Sequence, residues 1–312
     1  SRRSFGSSWD RRMHARMGCQ SSCNQNTAEE AVVERSAAPL ESTEQGAKAE
    51  THLVFSYGSN SLSQLCGRFT PIPTAASLRP RPATLEAYVR VFAGASKGWG
   101  SEESPSGVST VIRAQGAVDG LLVELTGAQR DALDVSEGVA KGIYERQEET
   151  VVVPGAGLMT CEVYVKSDTS FLHPPSPEYL MAIGEMLRER RGLLGSADDA
   201  PIVLNPLKSG ELGQLEDVAE SVVFPATWTA EHIDALTMGQ FVILWNVRLP
   251  EGRKWKMPKD MASVRTKLGN VGVASVSQLR SARNDINAKL SGAGEKNFSP
   301  TALQALDELF SL

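Results

Sequence analysis

The sequence contains little cysteine and little histidine for its length. Its 312 residues include four histidines and four cysteines, Cys19, Cys23, Cys66 and Cys161. So few cysteines, scattered over so long a chain, do not form a disulfide framework, and a reducing, cytoplasmic location is expected. The histidines do not cluster with cysteines or acidic residues at ligand spacing, which argues against a metal site.

An excess of positive charge and long apolar runs are also lacking. The net charge is −5 and the pI about 5.6, so no overall basic field favours nucleic acid as a partner. No uninterrupted apolar run reaches the roughly 18 residues of a membrane-spanning helix. The positively charged start is not followed by an apolar segment, which does not support a secretory signal. The hydrophobic share of 41 % is typical of a globular protein with one or two cores.

Large apolar side chains are scarce in the first fifty residues. Such a segment cannot bury enough surface to offset the entropy of ordering, so residues 1–50 are predicted to be a disordered tail. The rest of the chain is predicted to divide into a domain over residues 51–195, a linker over 196–224 and a C-terminal module over 225–312.

The tail contains a candidate lipidation signal. The segment Met17-Gly18-Cys19-Gln20-Ser21-Ser22 fits the Met-Gly-x-x-x-Ser/Thr pattern of N-myristoylation, with Gly18 as acceptor. Cys19 and Cys23 lie where palmitoylation commonly adds a second anchor, and two acyl chains hold a protein stably on a bilayer. This hypothesis, which would add a membrane surface as a partner, requires Met17 to be the initiator. In the alternative, Met17 is internal and the segment is not modified.

Residues 51–195 show several short apolar strands punctuated by turn residues. Strands are predicted at 53–57, 85–93, 109–112 and 118–125, with a turn at Gly116, and at 151–153 and 160–165. A capping box at Thr126 and an N-cap at Ser176 before Pro177 predict two helices. This pattern predicts an α+β fold with a small barrel or a strongly bent sheet.

The C-terminal module is predicted to be mostly helical and has no chemical motif. A capping box at Ser275 and the Ser299-Pro300 pair each begin a predicted helix. The apolar run Phe241–Leu249, which contains Trp245, is predicted to be a strand. The module is either a helical cap that completes the core or a surface for oligomerisation or for an unknown protein partner.

Three local features are candidates for chemistry. The turn Tyr57-Gly58-Ser59-Asn60 follows a strand, and its small residues allow N–H groups to converge on an anion, although many such turns only reverse the chain. Glu137 precedes Gly138 after a short helix, so its carboxylate could project into a cavity, although most glutamates are solvated. Trp99 lies in a glycine-rich loop and could form the wall of a pocket or cover the edge of a core.

In their order and spacing, these features resemble the γ-glutamylcyclotransferase family over residues 52–195, less than half of the chain. The matching segments are Phe55-Ser56-Tyr57-Gly58-Ser59-Asn60, Phe92 to Gly100, Val118-Asp119-Gly120-Leu121-Leu122, Leu133-Asp134-x-x-Glu137-Gly138-x-x-x-Gly142-x-Tyr144 and Ser176-Pro177-x-Tyr179-Leu180-x-x-Ile183. The family fold is a small mixed barrel with flanking helices.

The resemblance implies a lyase that cyclises a γ-glutamyl group to 5-oxoproline and releases an amine, without a metal or organic cofactor. It makes Glu137 the proton-transfer residue and the amides of Tyr57–Asn60 the substrate-binding loop. Tyr144 becomes a pocket wall or hydrogen-bond donor, and Trp99 a weaker candidate. Ser136 replaces the glutamine common before the glutamate, and Gly100-Ser101 replaces a glycine pair, which leaves the shape of the pocket open.

The substrate is left open among γ-glutamyl amino acids, γ-glutamylamines and glutathione. Asn60, after Tyr-Gly-Ser, makes glutathione slightly less favoured, because the glutathione-specific branch usually has another residue there. Since a fold alone does not establish activity, the alternative is a membrane-tethered adaptor on an inactive scaffold. The intact Glu137 and the intact turn argue against that alternative.

Overall fold

The computed structural model describes residues 50–101, 103–169, 174–195, 200–204, 207–209, 215–217 and 222–312. Gly18, Cys19, Cys23 and all of the predicted tail except Glu50 lie outside these residues, so disorder and acylation stay predictions. The described residues belong to one compact unit. None of the helices described is long and apolar enough to cross a membrane.

The described residues form five long strands and four short ones, which occur singly or in runs between helices, and the last six helices follow one another. The strands are β1 (Thr51–Ser56), β2 (Arg81–Ser96), β3 (Ser106–Thr126), β4 (Tyr144–Val153), β5 (Gly157–Lys166), β6 (Ile202–Leu204), β7 (Leu207–Ser209), β8 (Leu215–Asp217) and β9 (Val222–Phe224). The helices are α1 (Leu62–Arg68), α2 (Gly127–Glu137), α3 (Pro177–Leu193), α4 (Ala230–Asp234), α5 (Met238–Arg248), α6 (Lys259–Asn270), α7 (Val276–Ala282), α8 (Ile286–Gly292) and α9 (Pro300–Phe310).

The long strands form a closed barrel in the order β1-β3-β2-β4-β5. Neighbours within this order are antiparallel, and β5 returns to β1 in parallel, where Val54 pairs with Glu162 and Phe55 with Val163. The short strands pair separately, β6 with β9 and β7 with β8. The predicted α+β class and the helical C-terminal region are confirmed, whereas the predicted domain boundaries stay predictions.

The predicted turn at Gly116 is wrong. β3 continues through this position: Glu86 pairs with Ala117 and Tyr88 with Arg113, so β3 carries extra residues in a bulge rather than a reversal. The glycine is needed there for space, because a Cβ at Gly116 would lie 2.7 Å from Cγ1 of Val89.

The predicted strand over Phe241–Leu249 is also wrong, since these residues lie in and directly after α5. A capping box formed by Thr237 and Gln240 begins this helix. Its side chains from Phe241 to Trp245 are all buried, so the helix is apolar on every side. A short run of this kind cannot be distinguished from a buried strand by its periodicity.

The C-terminal helices share a hydrophobic core with α3 and the barrel. Met181 and Ile183 of α3 belong to the same buried cluster as Trp245 and Leu306. The indole of Trp245 donates a hydrogen bond to the Ala302 carbonyl at 2.8 Å. This continuous core favours the interpretation of the C-terminal region as a cap that completes the fold.

The packing of α3 can be tested by making the same substitution at two of its glycines. A Cβ at Gly184 would lie 2.7–2.8 Å from the buried Phe224 ring of β9, whereas a Cβ at Gly192 would meet nothing within 4 Å. We expect Gly184→Ala to lower the free energy of unfolding by about 1–3 kcal/mol, because overpacking outweighs the gain in helix propensity. Gly192→Ala is expected to raise it by up to about 1 kcal/mol. Urea unfolding measures both changes, and equal effects of the two substitutions would contradict the packing of Phe224 on α3.

Candidate active site

The turn Tyr57–Asn60 links β1 to α1 and is held by its neighbours. The Ser56 hydroxyl donates to the Asn60 carbonyl at 2.6 Å. Nε of Arg90 donates to the Tyr57 carbonyl at 3.0 Å. Among the described residues, no recorded hydrogen bond uses the N–H groups of Gly58, Ser59 or Asn60. The turn is therefore fixed in place while these amides stay available to a ligand.

Glu137 is the last residue of α2. Gly138 ends the helix in the left-handed conformation, with φ 69°, which glycine adopts without a steric penalty. The hydroxyl of Tyr164 on β5 donates to Asp134 at 2.7 Å and ties the last turns of α2 to the barrel. The position of the Glu137 backbone thus depends on a helix end and on a strand.

The Glu137 carboxylate faces the turn and not bulk water. Its Oε1 accepts hydrogen bonds from Nδ2 of Asn60 at 3.0 Å and from the Arg68 guanidinium at 2.9 Å. The exposed fractions of the side chains are 13 % for Glu137 and 14 % for Arg68. Within the described part of the chain, no recorded hydrogen bond reaches Oε2 of Glu137. One carboxylate oxygen is therefore held by the protein, and the other stays available.

One cavity of about 370 Å³ is lined by the catalytic and substrate-binding residues that the sequence predicted. It is lined by Tyr57, Gly58, Ser59, Asn60, Trp99, Glu137 and Tyr144, with Ser136 beside them. Trp99 lines the cavity and also packs edge-on against Tyr179 at 5.1 Å between ring centroids.

Two tyrosines of the cavity donate hydrogen bonds to backbone carbonyls. The Tyr144 hydroxyl donates to the Ser109 carbonyl at 3.0 Å, and the Tyr57 hydroxyl donates to the Tyr164 carbonyl. Burial raises the pKa of Tyr144 and of Tyr57 above the usual range of a phenol. Both hydroxyls are thus used to hold the walls of the cavity.

The cavity residues without a predicted role include Arg68, Lys166, Tyr179 and Pro258. Burial raises the pKa of Tyr179 to about 12, and its hydroxyl accepts the Ser109 N–H at 2.8 Å. Burial lowers the pKa of Lys166, and Asp168 partly offsets this effect. Tyr179 belongs to a motif that the sequence displays, whereas no local signal marks Arg68 or Pro258, which reach the cavity through the tertiary fold.

Among residues 50–312, leaving aside the gaps given above, no group of three or more His, Cys, Asp or Glu side chains could hold a metal ion. Cys66 and Cys161 are both free and buried thiols.

Comparison with known proteins identifies the class to which this fold and cavity belong. Residues 54–181 match the model of the "Gamma-glutamyl cyclotransferase, AIG2-like" family. The chain is 30 % identical to the gamma-glutamylcyclotransferase of Mus musculus over 139 residues, which cover 44 % of this chain and 71 % of that protein. It is 29 % identical to the Homo sapiens protein of the same name over 135 residues, covering 43 % and 69 %. The chain therefore belongs to the γ-glutamylcyclotransferase family, as its motifs predicted.

A solved structure of a gamma-glutamyl cyclotransferase is also similar to this chain. It has 24 % sequence identity and a TM-score of 0.38, and the similarity covers 47 % of this chain and 83 % of that one. The family match ends at residue 181, so most of α3 and all of α4–α9 lie beyond it.

Replacing Arg68 tests the ion pair of the cavity. We expect Arg68→Gln to lower the free energy of unfolding by about 1–3 kcal/mol, because the largely buried Glu137 carboxylate loses its charged partner. The same change should cost less in a Glu137→Gln background, where no charge is left unpaired. A double-mutant cycle by urea unfolding measures the difference, and additive effects of the two substitutions would contradict the coupling.

Glu189 of α3 binds the start of α1, just after the turn. Its carboxylate accepts the N–H groups of Leu62 at 2.7 Å and of Ser63 at 3.4 Å, the first amides of α1. Burial raises the pKa of Glu189 to about 7, although these N–H groups and Lys254 favour the charged form. The first N–H groups of α1, the helix that carries Arg68, therefore bind a carboxyl group whose pKa is about 7.

The raised pKa of Glu189 predicts a pH-dependent stability. The folded state keeps the proton of Glu189 up to a higher pH than the unfolded state does. The stability that this proton contributes is therefore complete below about pH 4.5 and is lost as the pH rises through about 7. We expect Glu189→Gln to flatten the decline of the unfolding free energy over this interval, whereas the exposed control Glu148→Gln should retain it. Urea titrations at several pH values measure this, and parallel curves for wild type and Glu189→Gln would refute the assignment.

Proposed function

We propose that this chain is a γ-glutamylcyclotransferase that releases 5-oxoproline and a free amine from a γ-glutamyl compound, with Glu137 as general acid and base. One observation carries the proposal: Glu137 and the turn residues 58–60, whose N–H groups have no hydrogen-bond partner among the described residues, line the same cavity. Family membership supports the reaction class.

The reaction is intramolecular, so the protein mainly orients groups and moves protons. The α-amino nitrogen of the glutamyl unit attacks its own γ-carbonyl carbon and closes a five-membered ring. The bond from that carbon to the leaving nitrogen then breaks. An ammonium group has no lone pair for the attack, so a carboxylate must first accept its proton, and the same group can return a proton to the departing amine.

The two oxygens of Glu137 have separate tasks in this mechanism. Asn60 and Arg68 both bind Oε1, which fixes the rotation of the carboxylate and offsets its charge. Oε2 then accepts the proton of the substrate. Such a proton transfer contributes typically about 10²–10⁴-fold to the rate.

The turn supplies the anion-binding part of the proposed site. The N–H groups of Gly58, Ser59 and Asn60 suit the α-carboxylate of the glutamyl unit, since converging amides favour negative oxygen atoms. The same amides suit the charge that develops on the γ-carbonyl oxygen during attack. Arg90 holds the turn from the barrel side through the Tyr57 carbonyl, so the amides require little rearrangement when the substrate binds.

The substrate stays open among γ-glutamyl amino acids, γ-glutamylamines and glutathione, which share the glutamyl unit and differ in the leaving amine. The adaptor hypothesis has less support, because an inactive scaffold would not need a largely buried carboxylate paired with Asn60 and Arg68 beside free amides.

Replacing Glu137 tests the proposed mechanism. We expect Glu137→Gln to abolish the formation of 5-oxoproline while the protein stays folded, because the amide cannot accept the proton of the substrate. The assay quantifies 5-oxoproline released from a panel of γ-glutamyl amino acids, γ-glutamylamines and glutathione.

The matched control is Glu86→Gln, which makes the same chemical change at an exposed position of β2. It should retain wild-type turnover. If Glu137→Gln retained it as well, the proposed role of Glu137 would be wrong. If wild type released no 5-oxoproline from any compound of the panel, the proposed function would be wrong.

A further inference from the structure

The cavity includes a residue from far outside the part of the chain that matches the family. Pro258 lies directly before α6, 77 positions beyond residue 181, where the match ends, and it lines the cavity together with Glu137 and the turn. The C-terminal region therefore contributes directly to the candidate active site.

Pro258 packs against the loop that carries Trp99. A Cβ added at Gly98 would lie only 3.0 Å from Cγ of Pro258, so the loop and the proline ring are in close contact. On its other side, the loop is fixed by the Ser176 hydroxyl, which donates to the Trp99 carbonyl at 2.7 Å. Pro258 and Trp99 thus form one continuous wall.

The same C-terminal segment also contacts α1. A Cβ added at Gly67 would lie 3.0 Å from the Trp255 carbonyl oxygen and 3.8 Å from Cβ of Lys254. Gly67 precedes Arg68, the partner of Glu137. Residues 254–258 therefore pack on the helix that positions Arg68 and on the loop that positions Trp99.

The segment is held firmly by α5. The N–H of Trp255 donates to Oδ1 of the buried Asn246 at 2.7 Å. The Lys254 ammonium donates to the carbonyls of Asn246 at 3.1 Å and of Val247 at 2.7 Å, at the end of α5. Met257 is buried in the shared core. A wall anchored in this way resists displacement by a ligand.

We propose that Pro258, together with Trp99, bounds the part of the cavity that receives the leaving amine, so that the C-terminal region limits the size of that amine. The inference rests on the proposed function: the turn and Glu137 hold the glutamyl unit, and the remainder of the lining then faces the leaving group. Pro258 is a specificity-determining residue, and compact leaving amines are favoured over bulky ones.

The test compares γ-glutamylalanine with γ-glutamylphenylalanine, which differ only by a phenyl group on the leaving amine. We expect Pro258→Ala to raise the ratio of kcat/KM for the phenylalanine compound over the alanine compound by roughly tenfold or more, because the shortened side chain opens the wall. Pro258→Val should keep the ratio near that of wild type, because it restores most of the volume.

Both variants lose the proline ring, so their difference isolates the size of the side chain from backbone effects. Pro250→Ala, at an exposed position of the same region, is the surface control and should leave the ratio unchanged. Thermal unfolding of each variant with and without the two compounds gives a second readout, the ligand-induced rise in Tm, that does not require turnover.

The outcomes separate this inference from the proposed function. An active Pro258→Ala enzyme with the wild-type ratio, or equal shifts in Pro258→Ala and Pro258→Val, would overturn the inference alone. Binding without turnover in wild type would overturn the proposed function, and the Tm shifts would then decide the role of Pro258. Absence of both binding and turnover in wild type would overturn both.

Discussion

The shared hydrogen bonds on Oε1 of Glu137 are the interaction on which the candidate site depends. Asn60 belongs to the turn after β1, Arg68 to the end of α1 and Glu137 to the end of α2, so one oxygen atom joins three elements. A largely buried carboxylate is costly unless it is paired and hydrogen-bonded, and here both conditions are met. The pairing also determines which oxygen stays available for a substrate.

Other parts of the fold hold the three elements that meet at Oε1 of Glu137. The barrel orients β1 and places the turn at its end, while Tyr164 of β5 holds α2 through Asp134. α3 contributes Glu189 to the first amides of α1 and Tyr179 to the wall of the cavity. Since Lys254 and Trp255 also pack on α1, the site combines the barrel, α3 and the C-terminal region in one structure.

Features determined by neighbours in the sequence were predicted well. The N-caps at Thr126, Ser176 and Ser275 form as expected, because each depends on contacts only three residues apart. The strands predicted at 151–153 and 160–165 also form, as parts of β4 and β5. Motif order was sufficient to find the turn, Glu137, Tyr144 and Trp99, which the structure brings to one cavity.

Features determined by distant contacts were missed. Arg68 and Glu137 are 69 residues apart, and nothing near Arg68 indicates its partner. The run from Phe241 to Arg248 lies in α5, and its buried side chains from Phe241 to Trp245 form an apolar pattern that does not distinguish a helix from a buried strand. The Gly116 bulge depends on the register against β2, and Pro258 depends on the whole path of the C-terminal region.

The end of the family match has a consequence for how the chain can be divided. Residue 181 lies inside α3, so a cut there would split the helix and remove Glu189. It would also remove Trp245 of α5 and Leu306 of α9, which share a buried cluster with Met181. A fragment trimmed to the region of homology, residues 54–181, would therefore expose apolar surface that is now buried, and exposed apolar surface favours aggregation. In this protein, the region of homology ends inside a buried cluster and not at its edge.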